Sequence, residues 1–503
     1  MSAKAELVRT VKEDSLPLGW TLTTIESLVG KGGVFIDGDW VESKDQDPEG
    51  DVRLIQLADI GGGAYRDRSA RFLTHAKAVE LGCTFLNKGD VLIARMPDPL
   101  GRACIFPGDS KPAVTVVDVA IVRSAAGEFN HRWLMYFVNA PAFRSAVASM
   151  QSGSTRKRIS RGNLSKIALP VPPIDEQKRI VAEIEKQYSR LDEAVANLKR
   201  VGANLRHYKA AVLKAAVEGR LVETEADLAR REGRSYQTGE QLLQRILETR
   251  RSQWQGKRKY KEPLPPDTTD LPELPQGWVW VSLDQLTTQI ADVDHKMPKA
   301  FEGGIPYVST KDFFGENEIN FERAKCISPS DFNVLCKKVR PTRGDILLSR
   351  YGTVGEVRTV ETDLPFQASY SVAILKPVRG EGHADYLATS MRSEVIQLQI
   401  KRDVRATAQP DLGLAHIRQL LVPFPPLAEQ RRIVAEVDRC LSLLRETEAQ
   451  VDANLRRAER LRQSILSRAF SGELLPASHS EHPIEDRDLP LAAAVLARCA
   501  APS

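Results

Sequence analysis

Two stretches of the chain, from Trp20 to about Pro173 and from Trp278 to about Pro426, contain short apolar or alternating runs separated by Gly, Pro, Asp and Asn. Runs such as VRLIQLADI, DVLIAR and AVTVVDVAIVRS in the first stretch, and GIPYVSTKDF and DILLSRYGTV in the second, are typical of strands joined by turns. Shorter helical stretches, such as residues 131–150, are mixed with them. Each stretch therefore predicts an α+β domain of about 150 residues.

A different pattern follows each domain. After residues 172–173 and 425–426, which are proline pairs suited to a helix start, no proline or glycine interrupts the chain until Gly202 and Gly472. Apolar residues then recur at spacings of three, four and seven, which is typical of a coiled-coil seam. The seam residues are Ile184, Tyr188, Leu191, Val195, Leu198 and Leu205 in the first segment, and Val437, Leu441, Leu444, Val451, Leu455 and Ile465 in the second.

The order of these segments along the chain predicts how the two helices pair. Forty-odd residues at about 1.5 Å per residue give a rod of roughly 60–65 Å. The first rod leads from domain one towards domain two, and the second begins where domain two ends. The compact solution is an antiparallel pair of long coiled-coil helices with a domain at each end, so we expect an elongated molecule of approximate two-fold symmetry.

The second half of the chain repeats the first, which makes the protein an internal duplication. Five blocks recur in the same order at shifts of 253 to 258 residues. They are LPLGW (16–20) with LPQGW (274–278), LIQLADI (54–60) with YVSTKDF (307–313), GDVLIAR (89–95) with GDILLSR (344–350), PVPPIDEQKRIVAEIE (170–185) with PFPPLAEQRRIVAEVD (423–438), and VLKAAVEGRLV (212–222) with ILSRAFSGELL (465–475). The repeated unit, near 250 residues, is too long for a solenoid repeat.

The duplication and the changes of pattern together predict seven segments. They are an N-terminal segment (1–14), a first domain (15–173), a first helical spacer (174–220), a linker with a short helix near residues 239–255 (221–272), a second domain (273–425), a second helical spacer (426–475) and a C-terminal tail (476–503). The two domains and the two spacers account for most of the chain.

The composition is that of a globular protein: 42% of the 503 residues are hydrophobic and 27% are charged, which excludes disordered and fibrous classes. No run approaches the roughly 18 apolar residues of a membrane span, and charges stand where a secretory signal would be apolar, so we expect a cytoplasmic protein. The net charge of +5 is small, but basic residues cluster. Residues 150–174 contain five basic residues and no acid, and residues 245–261 contain seven against one acid, which favours a nucleic-acid partner.

Catalytic motifs are missing from the sequence. It contains no phosphate-binding G-x-x-x-x-G-K-[ST], no G-x-G-x-x-G opening a helix, no NPPY or DPPY stretch of an adenine methyltransferase, and neither G-x-S-x-G nor H-E-x-x-H. Histidines and cysteines are scattered, so no metal site is predicted. Glu176 and Glu429 begin two helices at matching places, which favours a capping or interface role over a catalytic pair. We therefore predict a binding protein without catalytic activity or a cofactor of its own.

Duplicated domains on a rigid spacer suit double-stranded DNA, because two domains related by a two-fold axis can each enter a major groove. A rod of roughly 60 Å corresponds to under about 20 base pairs, so the half-sites should lie within that span with an unread gap. Arg95 and Arg350 each end a strand and are candidates for bidentate contacts to guanine; the alternative is a structural salt bridge. Tyr351 either stacks on a base or packs within the protein.

The remaining candidates for DNA contact lie in loops. Gln409 is a candidate for adenine recognition. Basic residues in both domains are predicted to hold phosphates, which gives affinity without sequence information. These are Arg156, Lys157, Arg158 and Arg161 in the first domain and Lys401, Arg402 and Arg405 in the second, and we add Arg102 and Lys311 to the DNA-binding set.

The repeated PPIDEQKRIVAEIE and PPLAEQRRIVAEVD blocks, the paired LP-x-GW openings, the G-x-L helix ends at residues 219–221 and 472–474, and the KYKEPLPPDT linker resemble the specificity subunit of type I restriction-modification systems. The resemblance covers nearly the whole chain, twice over. It implies two target-recognition domains joined by two conserved helical regions, each domain reading one half of a bipartite, asymmetric DNA target.

The resemblance also implies partners. Two adenine methyltransferase subunits, which bind S-adenosylmethionine, and ATP-dependent restriction subunits would assemble on the chain, and the helical regions would measure the gap and dock the methyltransferases. Cofactors, including Mg, would then lie in the partner subunits. Base-reading residues cannot be carried over, because recognition loops differ between members. Two alternatives stay open at this point: a coiled-coil scaffold with two protein-binding domains, and a nuclease with unfamiliar motifs.

Overall fold

The computed structural model describes residues 8–9, 16–96, 99–125, 127, 129–154, 156–256, 259–295, 297–404 and 410–475. The chain forms two compact units. Unit 1 comprises Met1–Leu198 with Ala453–Ser503, and unit 2 comprises Lys199–Asp452. Each unit contains a domain of strands and short helices together with part of both long helices, which confirms the predicted α+β class.

The elements are numbered in chain order. Unit 1 contains the strands β1 (Val8–Arg9), β2 (Thr21–Thr24), β3 (Val34–Asp37), β4 (Val52–Ile55), β5 (Phe72–Leu73), β6 (Val91–Ala94), β7 (Ala103–Ile105), β8 (Ala113–Thr115), β9 (Val119–Arg123) and β10 (Ile167–Val171), and the helices α1 (Ile25–Leu28), α2 (His75–Glu80), α3 (His131–Asn139), α4 (Pro141–Ser149) and α5 (Arg161–Leu164). The long helices α6 (Ile174–Val217) and α14 (Leu427–Phe470) each contribute to both units.

Unit 2 contains the remaining elements. Its strands are β11 (Val279–Ser282), β12 (Thr287–Ala291), β13 (Ile305–Val308), β14 (Phe313–Phe314), β15 (Glu318–Ile319), β16 (Lys325–Ile327), β17 (Ile346–Ser349), β18 (Val357–Thr359), β19 (Gln367–Ala368), β20 (Val372–Pro377) and β21 (Leu421–Phe424). Its short helices are α7 (Glu225–Glu232), α8 (Gly239–Ser252), α9 (Leu283–Leu286), α10 (Pro329–Cys336), α11 (Ala384–Met391), α12 (Glu394–Asp403) and α13 (Leu414–Gln419).

Two sheets of the first domain recur with the same topology in the second domain. Unit 1 has an antiparallel sheet of order β3-β9-β6-β7 and a second sheet of order β5-β4-β8; unit 2 repeats them as β12-β20-β17-β18 and β16-β13-β19. The register is also repeated, since Leu92 pairs with Ile121 in unit 1 and Leu347 pairs with Ile374 in unit 2. The internal duplication predicted from the sequence is therefore present down to the pairing of single residues.

The helices next to the first sheet show how local sequence sets the boundaries. The side chain of Asn130 accepts hydrogen bonds from the backbone N–H groups of Arg132 and Trp133 and so caps α3. Pro141 lacks an N–H and ends that helix, but it suits the first turn of α4. Residues 131–150 consequently form two helices of nine residues each.

The long helices bury the predicted seam within each unit. None of the twelve predicted seam residues is exposed. In unit 1 the beginning of α6 meets the end of α14: Ile184 and Ile465 belong to one core, and the hydroxyl of Tyr188 donates to the carbonyl oxygen of Arg462 at 3.2 Å. In unit 2 the end of α6, with Leu213, meets the beginning of α14, with Val437. In both units, therefore, the helices pair antiparallel.

The G-x-L helix ends pack against the LP-x-GW openings. In unit 2, Gly219 follows α6 with φ +69°, and a Cβ at this position would lie 2.5 Å from Cγ of Pro275. In unit 1, Gly472 follows α14 with φ +81° and lies against Pro17. A left-handed conformation and close contact with a proline ring both require glycine here. Two of the repeated sequence blocks are thus explained by one contact, made once in each unit.

No helix among the described residues is both long enough and apolar enough to cross a membrane.

Candidate nucleic-acid interface

Arg95, at the end of β6, anchors a loop of the first domain. Its guanidinium donates to the carbonyl oxygens of Ile159, at 3.2 Å, and Val117, at 2.5 Å. Its Nε lies 3.1 Å from Oδ1 of Asp37, the last residue of β3. The backbone N–H of Ile159 in turn donates to the carbonyl oxygen of Arg95 at 3.0 Å. These contacts fix the end of the loop that precedes Ile159.

Arg350 makes the matching contacts in the second domain. Its Nε donates to the carbonyl oxygen of Leu412 at 2.9 Å, and its two terminal nitrogens donate to Asp292 at 2.9 Å and Asp411 at 2.8 Å. The backbone N–H of Leu412 returns a hydrogen bond of 2.9 Å to the carbonyl oxygen of Arg350. The Arg350 side chain is only 7% exposed. The same arginine–aspartate pair therefore anchors the corresponding loop in each domain.

These contacts match the structural alternative stated for both arginines, because each guanidinium is already bonded inside its own domain. Asp37 and Asp292, each 58 residues before its arginine, were not singled out by sequence reasoning. The signal was present, since VFIDGD and QIADVD align at the shift of 255 that relates the two arginines. The arginines consequently fix the loops at whose ends they lie.

The loop anchored by Arg95 is exposed and basic. Ser152 and Arg158 exchange two backbone hydrogen bonds of 2.9 Å, which closes a hairpin. Arg156, Lys157 and Arg158 are all exposed, and no described residue takes up their side chains. Arg161 lies beside them and is partly held, since its Nη1 donates to the carbonyl oxygen of Phe35 at 2.8 Å. Three of the residues predicted to contact phosphates, Arg156, Lys157 and Arg158, therefore lie together on one loop, and their charges are not paired by any described residue.

The matching loop of the second domain has a different charge. Arg405 and Gln409 lie outside the described residues. Asp411 occupies the position that corresponds to Arg158, and its carboxylate is bound by Arg350. Lys401 and Arg402 are exposed at the end of α12, where Nε of Arg402 lies 3.2 Å from Asp403.

Arg102 and Lys311 lie in very different surroundings. The guanidinium of Arg102 donates to the carbonyl oxygens of Ile60, at 2.8 Å, and Leu57, at 3.0 Å, and so braces a loop of its own domain. Burial lowers the pKa of Arg102, and the nearby positive charge of Arg66 acts in the same direction. Lys311 is exposed in the 3-10 turn Thr310–Asp312.

An aromatic cluster lies beside the second anchor. The ring of His295 stacks on Tyr370, with centroids 4.6 Å apart and planes 24° apart. The ring of Tyr351 meets Tyr370 edge-on at 5.8 Å. His295 is exposed, whereas Tyr351 and Tyr370 are half-buried. Sequence reasoning identified only Tyr351, because the other two residues approach it from separate loops.

The glutamates of the two EQ blocks bind tryptophans. Nε1 of Trp20 donates to Glu176 at 3.1 Å, and Nε1 of Trp278 donates to Glu429 at 3.1 Å. Glu429 also accepts a hydrogen bond of 2.9 Å from the backbone N–H of Glu225. Burial raises the pKa of Glu429, and these two hydrogen bonds act against that rise. Each glutamate therefore ties the start of a long helix to the opening of its own domain.

Comparison with known proteins agrees with this duplicated architecture. A family model described as the type I restriction modification DNA specificity domain matches residues 35–199 and 275–456. Curated relatives include the EcoBI specificity subunit of Escherichia coli, 25% identical over 74% of this chain and 72% of the relative. The EcoAI specificity subunit of Escherichia coli is 22% identical over 87% of this chain and 80% of the relative.

Solved structures share the fold. A chain from a study of complex assembly and conformational transition of the type I R-M system superposes with a TM-score of 0.64 at 18% identity, covering 91% of this chain and 99% of that chain. The HsdS subunit of Thermoanaerobacter tengcongensis gives a TM-score of 0.50 at 19% identity, covering 91% and 98%. The matches cover both units.

Proposed function

The chain belongs to the type I restriction-modification DNA specificity family, and we propose that each of its two domains reads one half of a bipartite, asymmetric double-stranded DNA target. The observation that carries this proposal is the pair of anchored loops. The same arginine–aspartate pair fixes the loop in both domains, while the loop sequences differ, with RKR at 156–158 against QPD at 409–411. A shared frame with different loop sequences suits the recognition of two unlike half-sites.

The first domain would hold the DNA backbone through its basic hairpin. Arg156, Lys157 and Arg158 are exposed on one short loop without internal partners among the described residues. Cations placed in this way neutralise phosphates and release counterions, so they give affinity that does not depend on sequence. Direct reading of bases would then come from the side chains that the hairpin and its neighbours place in the major groove.

The chain would act within a larger assembly. Relatives named as specificity subunits of type I restriction enzymes support a role as one subunit of a complex. We propose two methyltransferase subunits and ATP-dependent restriction subunits as the partners. We propose that the chain itself is non-catalytic and that S-adenosylmethionine, ATP and Mg bind to those partners. DNA recognition would be the contribution of this chain to the complex.

The salt dependence of binding tests the assigned phosphate contacts. The complex of this chain with its methyltransferase partner would be titrated with duplex DNA over a range of salt concentrations. Replacing Arg156, Lys157 and Arg158 together by alanine should make the slope of log affinity against log salt shallower by about 1 for each phosphate that is no longer neutralised. The control variant replaces Lys31, Lys44 and Lys88, three exposed lysines of the same unit, and removes the same charge. Equal slopes for the two triple variants would contradict the assignment.

Domain exchange tests the division of the target. Replacing residues 273–425 by the corresponding domain of the EcoAI specificity subunit should change one half of the recognised sequence and leave the other half unchanged. The unchanged half is then the one that belongs to the first domain. A change in both halves would contradict the proposal that the domains read independently.

A further inference from the structure

We propose that the second domain contacts its half-site through His295, Tyr351 and Tyr370. This inference rests on the proposed DNA-reading function and deepens it. It places the contact surface of the second domain on a different loop from that of the first domain, whose free cations lie on the hairpin between Ser152 and Arg158.

The aromatic cluster is held by Arg350 on one side, and His295 is exposed to solvent. Nη1 of Arg350 donates to the carbonyl oxygen of Tyr370 at 3.3 Å, and its guanidinium lies 5.9 Å from the ring centre of Tyr351. Tyr351 also forms a backbone bridge with Asp411. Among the described residues, none forms a hydrogen bond with the imidazole nitrogens of His295 or with the hydroxyl groups of Tyr351 and Tyr370. Three fixed rings therefore present free hydrogen-bonding groups.

The loop after His295 adds an exposed lysine and exposed apolar side chains. In the sequence, residues 292–304, between β12 and β13, contain two lysines against three acids, Asp292, Asp294 and Glu302, and Lys296 lies outside the described residues. Lys299 is exposed, and Met297 and Phe301 are 54% and 50% exposed. The acid before this loop, Asp294, is paired with Lys338 at 3.0 Å. The surface thus combines the ammonium group of Lys299 with apolar and aromatic groups, which contact base edges and the thymine methyl group.

The corresponding loop of the first domain is unsuited to DNA. Residues 38–51, between β3 and β4, contain six acidic residues and one lysine. Several carboxylates bind backbone N–H groups of their own domain, as Asp39 does with Thr84 at 2.8 Å and Asp51 with His75 at 2.7 Å. An acidic loop repels phosphates. The positions that match His295, Tyr351 and Tyr370 are occupied by Trp40, Met96 and Val117, which form no such cluster.

The charge of the two anchored loops points to the same division. The first-domain hairpin carries three free cations, whereas the second-domain loop ends in Asp411, whose charge is taken by Arg350. At this corresponding position the first domain therefore offers a free cation and the second domain does not. The second domain uses the loop that carries the aromatic cluster.

The test uses the complex with the methyltransferase subunit and duplexes that carry the target found by mapping methylated adenines. Variants His295→Ala and Tyr351→Phe are compared with wild type on the intact target and on duplexes altered in one half. Each variant should weaken binding to the intact target by about fivefold to a hundredfold and reduce discrimination only in the half assigned to the second domain. The fold should be retained, because His295 is exposed and Tyr351→Phe removes only a hydroxyl group.

Trp40→Ala is the matched control, since Trp40 is the first-domain counterpart of His295 and is 70% exposed. It should leave discrimination in both halves unchanged. If His295→Ala and Tyr351→Phe bind and discriminate like wild type, or lose affinity equally on every duplex, the inference is overturned while DNA recognition by the chain stands. If the wild-type complex shows no sequence-specific binding at all, the proposed function itself fails.

Discussion

Single side chains hold the two anchored loops in place. Arg95 and Arg350 were recognisable from the repeated GDVLIAR and GDILLSR blocks, and a structural salt bridge was one of the two roles that their positions suggest. The sequence alone could not show which role applies, because the deciding partners are a distant aspartate and the carbonyl oxygens of Ile159 and Leu412. Backbone acceptors carry no sequence signature. The basic cluster at residues 156–158 was recognisable because exposed cations need no partner.

Replacing Arg95 by glutamine should loosen the first-domain loop. The variant lacks the ion pair with Asp37 and hydrogen bonds to two carbonyl oxygens, which should lower the free energy of unfolding by about 1–3 kcal/mol. Because the loop is no longer fixed, discrimination in the first half-site should also fall. Binding to duplexes altered in one half measures this effect. Arg350→Gln is the mirror control and should act on the second half-site; weaker affinity with unchanged discrimination would contradict the anchoring role.

Replacing Trp278 by phenylalanine should destabilise unit 2 in a pH-dependent way. The buried Glu429 carboxylate accepts two hydrogen bonds in the wild type and only one in the variant. This loss should lower the free energy of unfolding by about 2 kcal/mol near neutral pH. Burial raises the pKa of Glu429 above 4.5, so the folded state binds this proton more tightly than the unfolded state. The cost of the buried charge is therefore present above the raised pKa and disappears as the pH falls through it towards 4.5.

Chemical denaturation at neutral and acidic pH measures this difference. The stability gap between Trp278→Phe and wild type should narrow as the pH falls, because a neutral carboxyl group needs fewer donors. Trp20→Phe is the matched control, since Glu176 is half-buried, and it should show a smaller gap with less dependence on pH. A gap that widens in acid would contradict this account.

At the scale of elements, the long helices and both domains were predictable because their periodicity is sustained and occurs twice. The short helix α7 was not predicted within the linker. Its sequence EADLARRE is mostly polar, so periodicity gives little signal. The bounds of α7 are set by its caps. The side chain of Thr224 accepts a hydrogen bond from the backbone N–H of Asp227, and Gly233 ends the helix with φ +66°. Hydrogen bonds from Arg432 and Arg234 to Glu225 then hold α7 on its unit, and they lower the pKa of Glu225 although burial alone would raise it.

Replacing Gly219 by alanine should weaken the contact between the end of α6 and the second-domain opening. Gly219 and Gly233 both end helices in unit 2 with nearly equal φ values of +69° and +66°. A Cβ at Gly233 meets nothing within 4 Å, so Gly233→Ala should cost only the conformational term of about 1–2 kcal/mol. Gly219→Ala should cost more, because Pro275 must also move. Thermal unfolding of both variants measures this difference, and equal destabilisation would contradict the packing role.

At the scale of the whole molecule, duplication was the most informative property of the sequence. It indicated repeated domains, repeated helices and repeated helix ends before any element was assigned, and the family match covers both copies. What duplication cannot predict is where the copies differ in function. The loop at residues 38–51 contains six acids and one lysine, whereas the loop at residues 292–304, which occupies the same place in the topology, contains three acids and two lysines. The two copies share a frame, and they differ in the loops that the frame supports and in a few added elements, such as the strands β14 and β15 of unit 2.

The central claim is that this chain directs recognition of a bipartite DNA target. It is tested most directly by co-expressing the chain with the proposed methyltransferase partner in a host that lacks other adenine methylation. Methylated adenines would then be mapped across the host genome. The account predicts a single gapped, asymmetric motif that is methylated on both strands, in which one half changes when residues 273–425 are exchanged. A stable complex that methylates a continuous motif, or that methylates adenines without any sequence preference, would contradict it.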